Sequence, residues 1–282
     1  MRRIIPILTL VALRLTALAS EASAAPAEVR FDYRDGLIWI DVRSARHPQA
    51  LHFILDSGAE QSVLSLRMAK ALGLTLHSPE IVSGISSRAI AYRVSPISLT
   101  FAEENFRTSP LVIDLSQASR ACRRRVDGLL GADFFRNRVI QINYAEQVIR
   151  FPDHAPSDPG SIALPIRWNG GAMCVSVGIE TVNLPSVRVD TGCTGALHWS
   201  PVDTPAPKSA SKSIGLSIHR GRRHKTEVFL GTHTIERVRT ARFPRAFFSG
   251  ENGLLGNALL SRFNVTFDAP GSSLILNPQS NR

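Results

Sequence analysis

One pattern occurs twice in this chain and leaves little freedom for the rest of it. An apolar run at 51–55 ends in Asp56-Ser57-Gly58-Ala59, and Val126-Asp127-Gly128-Leu129-Leu130-Gly131 follows later, with Phe134, Phe135 and Val139 after it. A second run at 187–189 ends in Asp190-Thr191-Gly192-Cys193, and Asn252-Gly253-Leu254-Leu255-Gly256 follows, with Leu259, Leu260 and Phe263 after it. The spans 56–131 and 190–256 are of similar length. Self-similarity of this kind predicts two copies of one supersecondary unit.

Each Gly-Leu-Leu-Gly is followed by a short helical turn and two alternating strands, 139–144 with 148–151 and 265–268 with 273–276. Between the copies, 152–160 carries Pro152, Asp153, Pro156, Asp158, Pro159 and Gly160, residues that break helices and strands alike. The expected division is therefore a first lobe at 25–151, a linker at 152–160 and a second lobe at 161–282. Short β-runs at close spacing, such as 37–42, 97–101, 162–166 and 175–179, make the expected fold all-β. The one helical periodicity lies at 63–72, where Leu64, Met68 and Leu72 share a face and Gly73 stops the helix. In the second half Pro201, Pro205 and Pro207 predict a loop at that place.

An apolar strand that ends in Asp-Ser/Thr-Gly puts a carboxylate at a tight turn, where glycine frees the backbone and the hydroxyl finds a local partner. Average residue usage gives such a triplet on the order of 0.1 times in a chain of this size. Two copies, each with the same follow-up, are hard to assign to chance. Structural Asp turns in a sandwich domain are the bland alternative.

These residues resemble the aspartic proteases, both retropepsin-like and pepsin-like, whose signature is an apolar-apolar-Asp-Ser/Thr-Gly turn plus a later apolar-apolar-Gly. Phe53-Ile54-Leu55-Asp56-Ser57-Gly58-Ala59 is similar to the retroviral form, and Gly128-Leu129-Leu130-Gly131-Ala132-Asp133-Phe134 to exported bacterial relatives. With both motifs in one chain, the resemblance implies a single-chain, bilobal all-β fold with a pseudo-twofold internal repeat. Two carboxylates about 3 Å apart cannot both ionise, so they share a proton and act as acid and base together on a water between them. Asp56 and Asp190 are assigned that joint catalytic role.

By the same resemblance, Ser57 and Thr191 link the two turns through their hydroxyls, and Gly58 and Gly192 let the backbone approach the shared water. Gly131 and Gly256 pack behind the dyad where a side chain would clash. A hairpin flap is expected around Val82-Ser83-Gly84-Ile85-Ser86-Ser87, with Gly84 and Ile85 at its tip, and Ile214-Gly215-Leu216 is a weaker second candidate. The implied activity is endopeptidase hydrolysis of a peptide or protein substrate, and a catalytically silent peptide-binding protein of the same fold is the alternative. Cys193 after the second turn and the prolines at 201–207 depart from the family pattern.

Other chemistries find little support. The eight histidines show no ligand spacing, and HExxH, a phosphate-binding loop, GxGxxG and the GxSxG elbow of a Ser-His-Asp hydrolase are all missing, so no metal or cofactor is expected. Cys122, Cys174 and Cys193 allow at most one disulfide, and Cys193 reads as a small packed side chain. The net charge of +10 gathers in basic clusters at 120–125 and 219–225. Both read as solvated loops with no nucleic-acid role, because no aromatics interleave them.

At the N-terminus, Met1-Arg2-Arg3, the apolar stretch 4–19 and Ala22-Ser23-Ala24 follow the order of a secretory signal, with cleavage after Ala24. Arg14 interrupts the stretch, so an uncleaved anchor stays open. The expectation is an exported, periplasmic or secreted monomer.

Overall fold

The structure, a computed structural model, describes residues 27–84, 88–156, 158–201, 213–214 and 222–279. The segment 1–24 expected to be a signal, Ile85, Pro205, Pro207 and 215–221 lie outside the described residues.

The described chain is all-β, with four short helices among its described residues. The repeat in the sequence reappears as a repeat in strand order. In the first half the order across the sheet is Leu37–Ser44, His47–Leu55, Gly128–Leu130, Val63–Ser65, Leu111–Ile113. In the second it is Ala172–Ile179, Val182–Asp190, Gly253–Gly256, Leu197–Trp199, His233–Arg242. The parallel pairing at the centre also matches. Gly128 faces Phe53 and Leu130 faces Leu55, while Gly253 faces Val187 and Leu255 faces Val189. These strands read as near-continuous apolar runs because both of their faces are covered, which alternation would not allow.

A third sheet of six strands joins the halves. Its order is Ala27–Arg30, Val148–Phe151, Val139–Asn143, Phe263–Asp268, Ser273–Pro278, Ile162–Pro165, three strands from each half. The central pair is antiparallel, with Gln141 opposite Thr266. Phe135 and Phe267 meet beneath it edge to face, centroids 4.9 Å apart.

Three local expectations are corrected. The helix predicted at 63–72 begins only at Leu66 and runs Leu66–Ala71. Val63 and Leu64 are claimed by strand pairing on both sides, and Ser65 then caps the helix, its Oγ accepting the Met68 amide at 3.1 Å. The basic stretch at 120–125 is not all loop, since Ser116–Ala121 is helical. The described end of the other basic cluster is a strand, Arg222–Leu230, paired with His233–Arg242. All three cysteines are free thiols. Among the described residues no helix is long and apolar enough to cross a membrane.

Candidate active site

Each Asp turn is held by backbone before any side chain is considered. The Asp56 amide donates to Leu130 O at 2.9 Å, pinning the end of its strand to the neighbouring Gly-Leu-Leu-Gly strand. Behind the turns the two halves repeat one contact. Ala132 N donates to Ala59 O at 2.7 Å, and Asn257 N to Cys193 O at 2.8 Å. Both donors directly follow the last glycine of their motif. A Cβ on Gly131 would stand 2.6 Å from Gln61 C, and one on Gly256 would stand 2.5 Å from Gly195 O. Both obstacles are backbone atoms that cannot swing aside.

The turns lie against each other. Ser57 N donates to Thr191 Oγ1 at 2.9 Å, and Thr191 N donates to Ser57 Oγ at 3.1 Å. Each hydroxyl passes its own proton further across: Ser57 Oγ donates to Val189 O and Thr191 Oγ1 to Leu55 O, both at 2.8 Å. These four bonds satisfy both hydroxyls and both amides in a fully buried place, where a missing partner would cost about 1–3 kcal/mol. A Cβ on Gly58 would collide with the Asp190 carboxyl, so glycine is what permits the close approach.

Asp56 and Asp190 are both 0% exposed. Gly58 N and Ala59 N donate to Asp56 Oδ1, each at 3.1 Å, and Gly192 N donates to Asp190 Oδ1 at 2.9 Å. Apart from the facing carboxyl, no donor among the described residues reaches Oδ2 of either Asp. Burial drives both proton affinities upward. Asp56 rises well above the ordinary carboxylate range through burial and then the charge of Asp190. Asp190 is raised to about 7 by burial, opposed by Arg188 and the Gly192 amide. The two are coupled, so each value belongs to the pair. Such a pair offers one proton to give and one carboxylate to receive.

The remaining expected positions fall as follows. Gly84 ends the strand His77–Gly84, whose antiparallel partner is Arg88–Arg93, and residues 85–87, Ile85 among them, lie outside the described residues. Val82 and Ala91 of this hairpin pack into a cluster that contains Ile54, two residues before Asp56. Ile81 and Ile90 sit opposite each other in register and are 57% and 59% exposed. Ile214 pairs in a two-residue parallel strand with Gly84. Cys193 is buried with Sγ 3.8 Å from His198 Nδ1, and burial pushes its thiol up, away from thiolate.

Sequence reasoning passed over two contributors. Arg188 counted only as part of an apolar run, yet it is 1% exposed and forms a forked pair with Glu251, at 2.7 and 2.5 Å. A charge inside a Val-Arg-Val strand was the available signal. Asn257 donates to Thr191 O at 2.6 Å and to Gly36 O at 2.7 Å, and accepts from Tyr144 Oη at 2.8 Å. Nothing in its local sequence marked it.

Residues 44–134 match a family model described as Aspartyl protease. The match takes in the first Asp turn, the hairpin and the first Gly-Leu-Leu-Gly, and the second turn lies beyond it. No curated protein matches the chain at a significant level. The family match supports an aspartic protease family for this chain, and with it a hydrolase that cleaves peptide bonds.

Proposed function

We propose that the chain is a single-chain, two-lobed aspartic endopeptidase in which Asp56 and Asp190 form the catalytic dyad at the meeting of the lobes. The observation that carries this reading is the reciprocal exchange between Ser57 and Thr191. It brings two buried carboxyls together with an oxygen of each unclaimed by protein donors. The ionised member takes a proton from water, the protonated member donates to the peptide carbonyl, and water attacks with no covalent intermediate. Because one chain supplies both turns, the unit acts as a monomer. The lobes are 25–151 and 161–282 with 152–160 between them. The strands 77–84 and 88–93 belong to the flap of this reading, and exposed Ile81 and Ile90 offer the substrate an apolar edge. The N-terminal segment 1–24 directs export to a periplasmic or extracellular setting.

Hydrolysis requires one shared proton, so activity is highest at acid to weakly acidic pH and falls once the pair has lost that proton. The test is hydrolysis of a mixed peptide library from acid to neutral pH, with Asp56→Asn, Asp190→Asn and a statine-type transition-state mimic alongside. Loss in both variants and block by the mimic support the dyad. A rate still climbing at alkaline pH would contradict it, and a folded wild type that binds peptides without cutting them would favour the silent binding protein.

A further inference from the structure

Arg188 stands two residues before Asp190 on one strand, so strand alternation puts both side chains on the same face. The matching place before Asp56 is Ile54, which packs among apolar neighbours. The halves thus part company in charge at one position beside the carboxyls.

The guanidinium is built in on every side. Glu251 takes its fork, Nη2 lies 3.5 Å from Glu60 Oε1, and the Phe248 ring lies 3.9 Å from its central carbon. Nη1 donates to Gly58 O at 2.7 Å, a bond from the second half of the chain into the first Asp turn. That carbonyl shares a peptide group with the Ala59 amide, which donates to Asp56 Oδ1 and to Asp56 O, both at 3.1 Å. Cation, carbonyl, amide and carboxylate therefore line up in one sense, and each bond polarises the next.

We propose that Arg188 is a positioning residue for the Asp56 and Asp190 pair, acting on Asp56 through the Gly58–Ala59 peptide and on both carboxyls through its charge. The proposal rests on the reading of the two turns as a dyad. The other ionisable groups facing this place are Glu251, Glu60, Cys193 and Cys174, the last directly opposite Arg188 in register. Burial holds the Cys174 thiol up at about 12, so it stays neutral. Arg188 lowers the proton affinity of both carboxyls, while Glu251 raises that of Asp190.

Opposite charges predict opposite signs. Arg188→Met raises both apparent ionisations of the pair and moves the pH–rate bell upward by about one unit. Glu251→Gln moves it downward. A structural role alone lowers both rates without displacing the limbs in opposite directions. Arg188→Lys keeps the charge but loses the fork, so the limbs stay and the rate falls roughly tenfold. Where a lone buried charge prevents folding, the double variant Arg188→Met/Glu251→Gln removes both charges and folds. Its bell moves upward by less than that of Arg188→Met, since Arg188 acts on both carboxyls. Carbon-13 NMR of the Asp carboxyls reads the same ionisations without turnover. If the wild-type chain cuts no peptide but its carboxyl titrations still shift with opposite signs, the protease reading fails and this inference stands. If wild type cuts and no charge variant, the double included, moves a limb, the inference is overturned.

Discussion

At the residue scale the governing fact is that two carboxyls lie where water does not solvate them. Asp190 holds its proton more tightly folded than unfolded, having risen from an ordinary 3.8 to about 7. Its contribution to stability is therefore complete below the unfolded value of 3.8 and is lost as pH climbs through about 7. Asp190→Asn should abolish that slope. Thermal unfolding from pH 4 to 8 is expected to show the variant melting above wild type at the alkaline end, while hydrolysis drops by roughly 10²–10⁴-fold. Melting below wild type across that range would mean that the carboxylate is stabilised by partners rather than strained by burial. Thr191 tests the exchange between the turns. Thr191→Val keeps the shape but strands Ser57 N and Leu55 O, so denaturant unfolding should show a loss of roughly 2–4 kcal/mol. Thr191→Ser keeps both bonds and should stay within about 1 kcal/mol of wild type.

At the element scale, strand pairing overrode helix periodicity. The 63–72 stretch has a helical apolar face, but its first three residues also fit between two strands, and the sheet took them. Sequence pattern offers both outcomes, and the partners that decide between them, Leu111 and Leu129, are distant in the chain. The Gly-Leu-Leu-Gly strands show the converse case. Their glycines were expected as packing positions through the family resemblance, and the structure supplies the reason, since the backbone after each Asp turn passes close by. Gly256→Ala should push Cys193 and Gly195 away and displace the Asp190 turn. A loss of roughly 2–4 kcal/mol in denaturant unfolding is expected, with hydrolysis falling further than stability alone explains. Gly73→Ala serves as the control, since a Cβ there meets nothing, although its φ of 65° adds some backbone strain.

At the scale of the whole molecule, the six-stranded sheet and the exchange between the turns hold the halves together, with the Arg188 bond to Gly58, the Asn257 bonds to Gly36 and Tyr144 and the pairing of Ile214 with Gly84 beside them. The linker proposed at 152–160 is a further, covalent link, and these contacts should make it redundant. A specific cleavage site placed at 156–159 should yield a nicked protein that elutes as one species and keeps its hydrolytic activity. Separation of the fragments on size exclusion would show that the sheet pairing around Gln141 and Thr266 is too weak to hold them.

Sequence alone determined the all-β class, the doubled Asp turn and the residues at its centre, because a turn with a carboxylate, a hydroxyl and a glycine leaves a local signature twice. Only the tertiary structure decided what surrounds them. Arg188 reads as an anomaly in an apolar strand until Glu251, Gly58 and Phe248 close around it. Asn257 reads as any helix-start residue until Gly36, Tyr144 and Thr191 meet it. Their partners come from segments distant in the chain, some in the same half and some in the other, and contacts between distant segments leave no period or motif in the segments themselves.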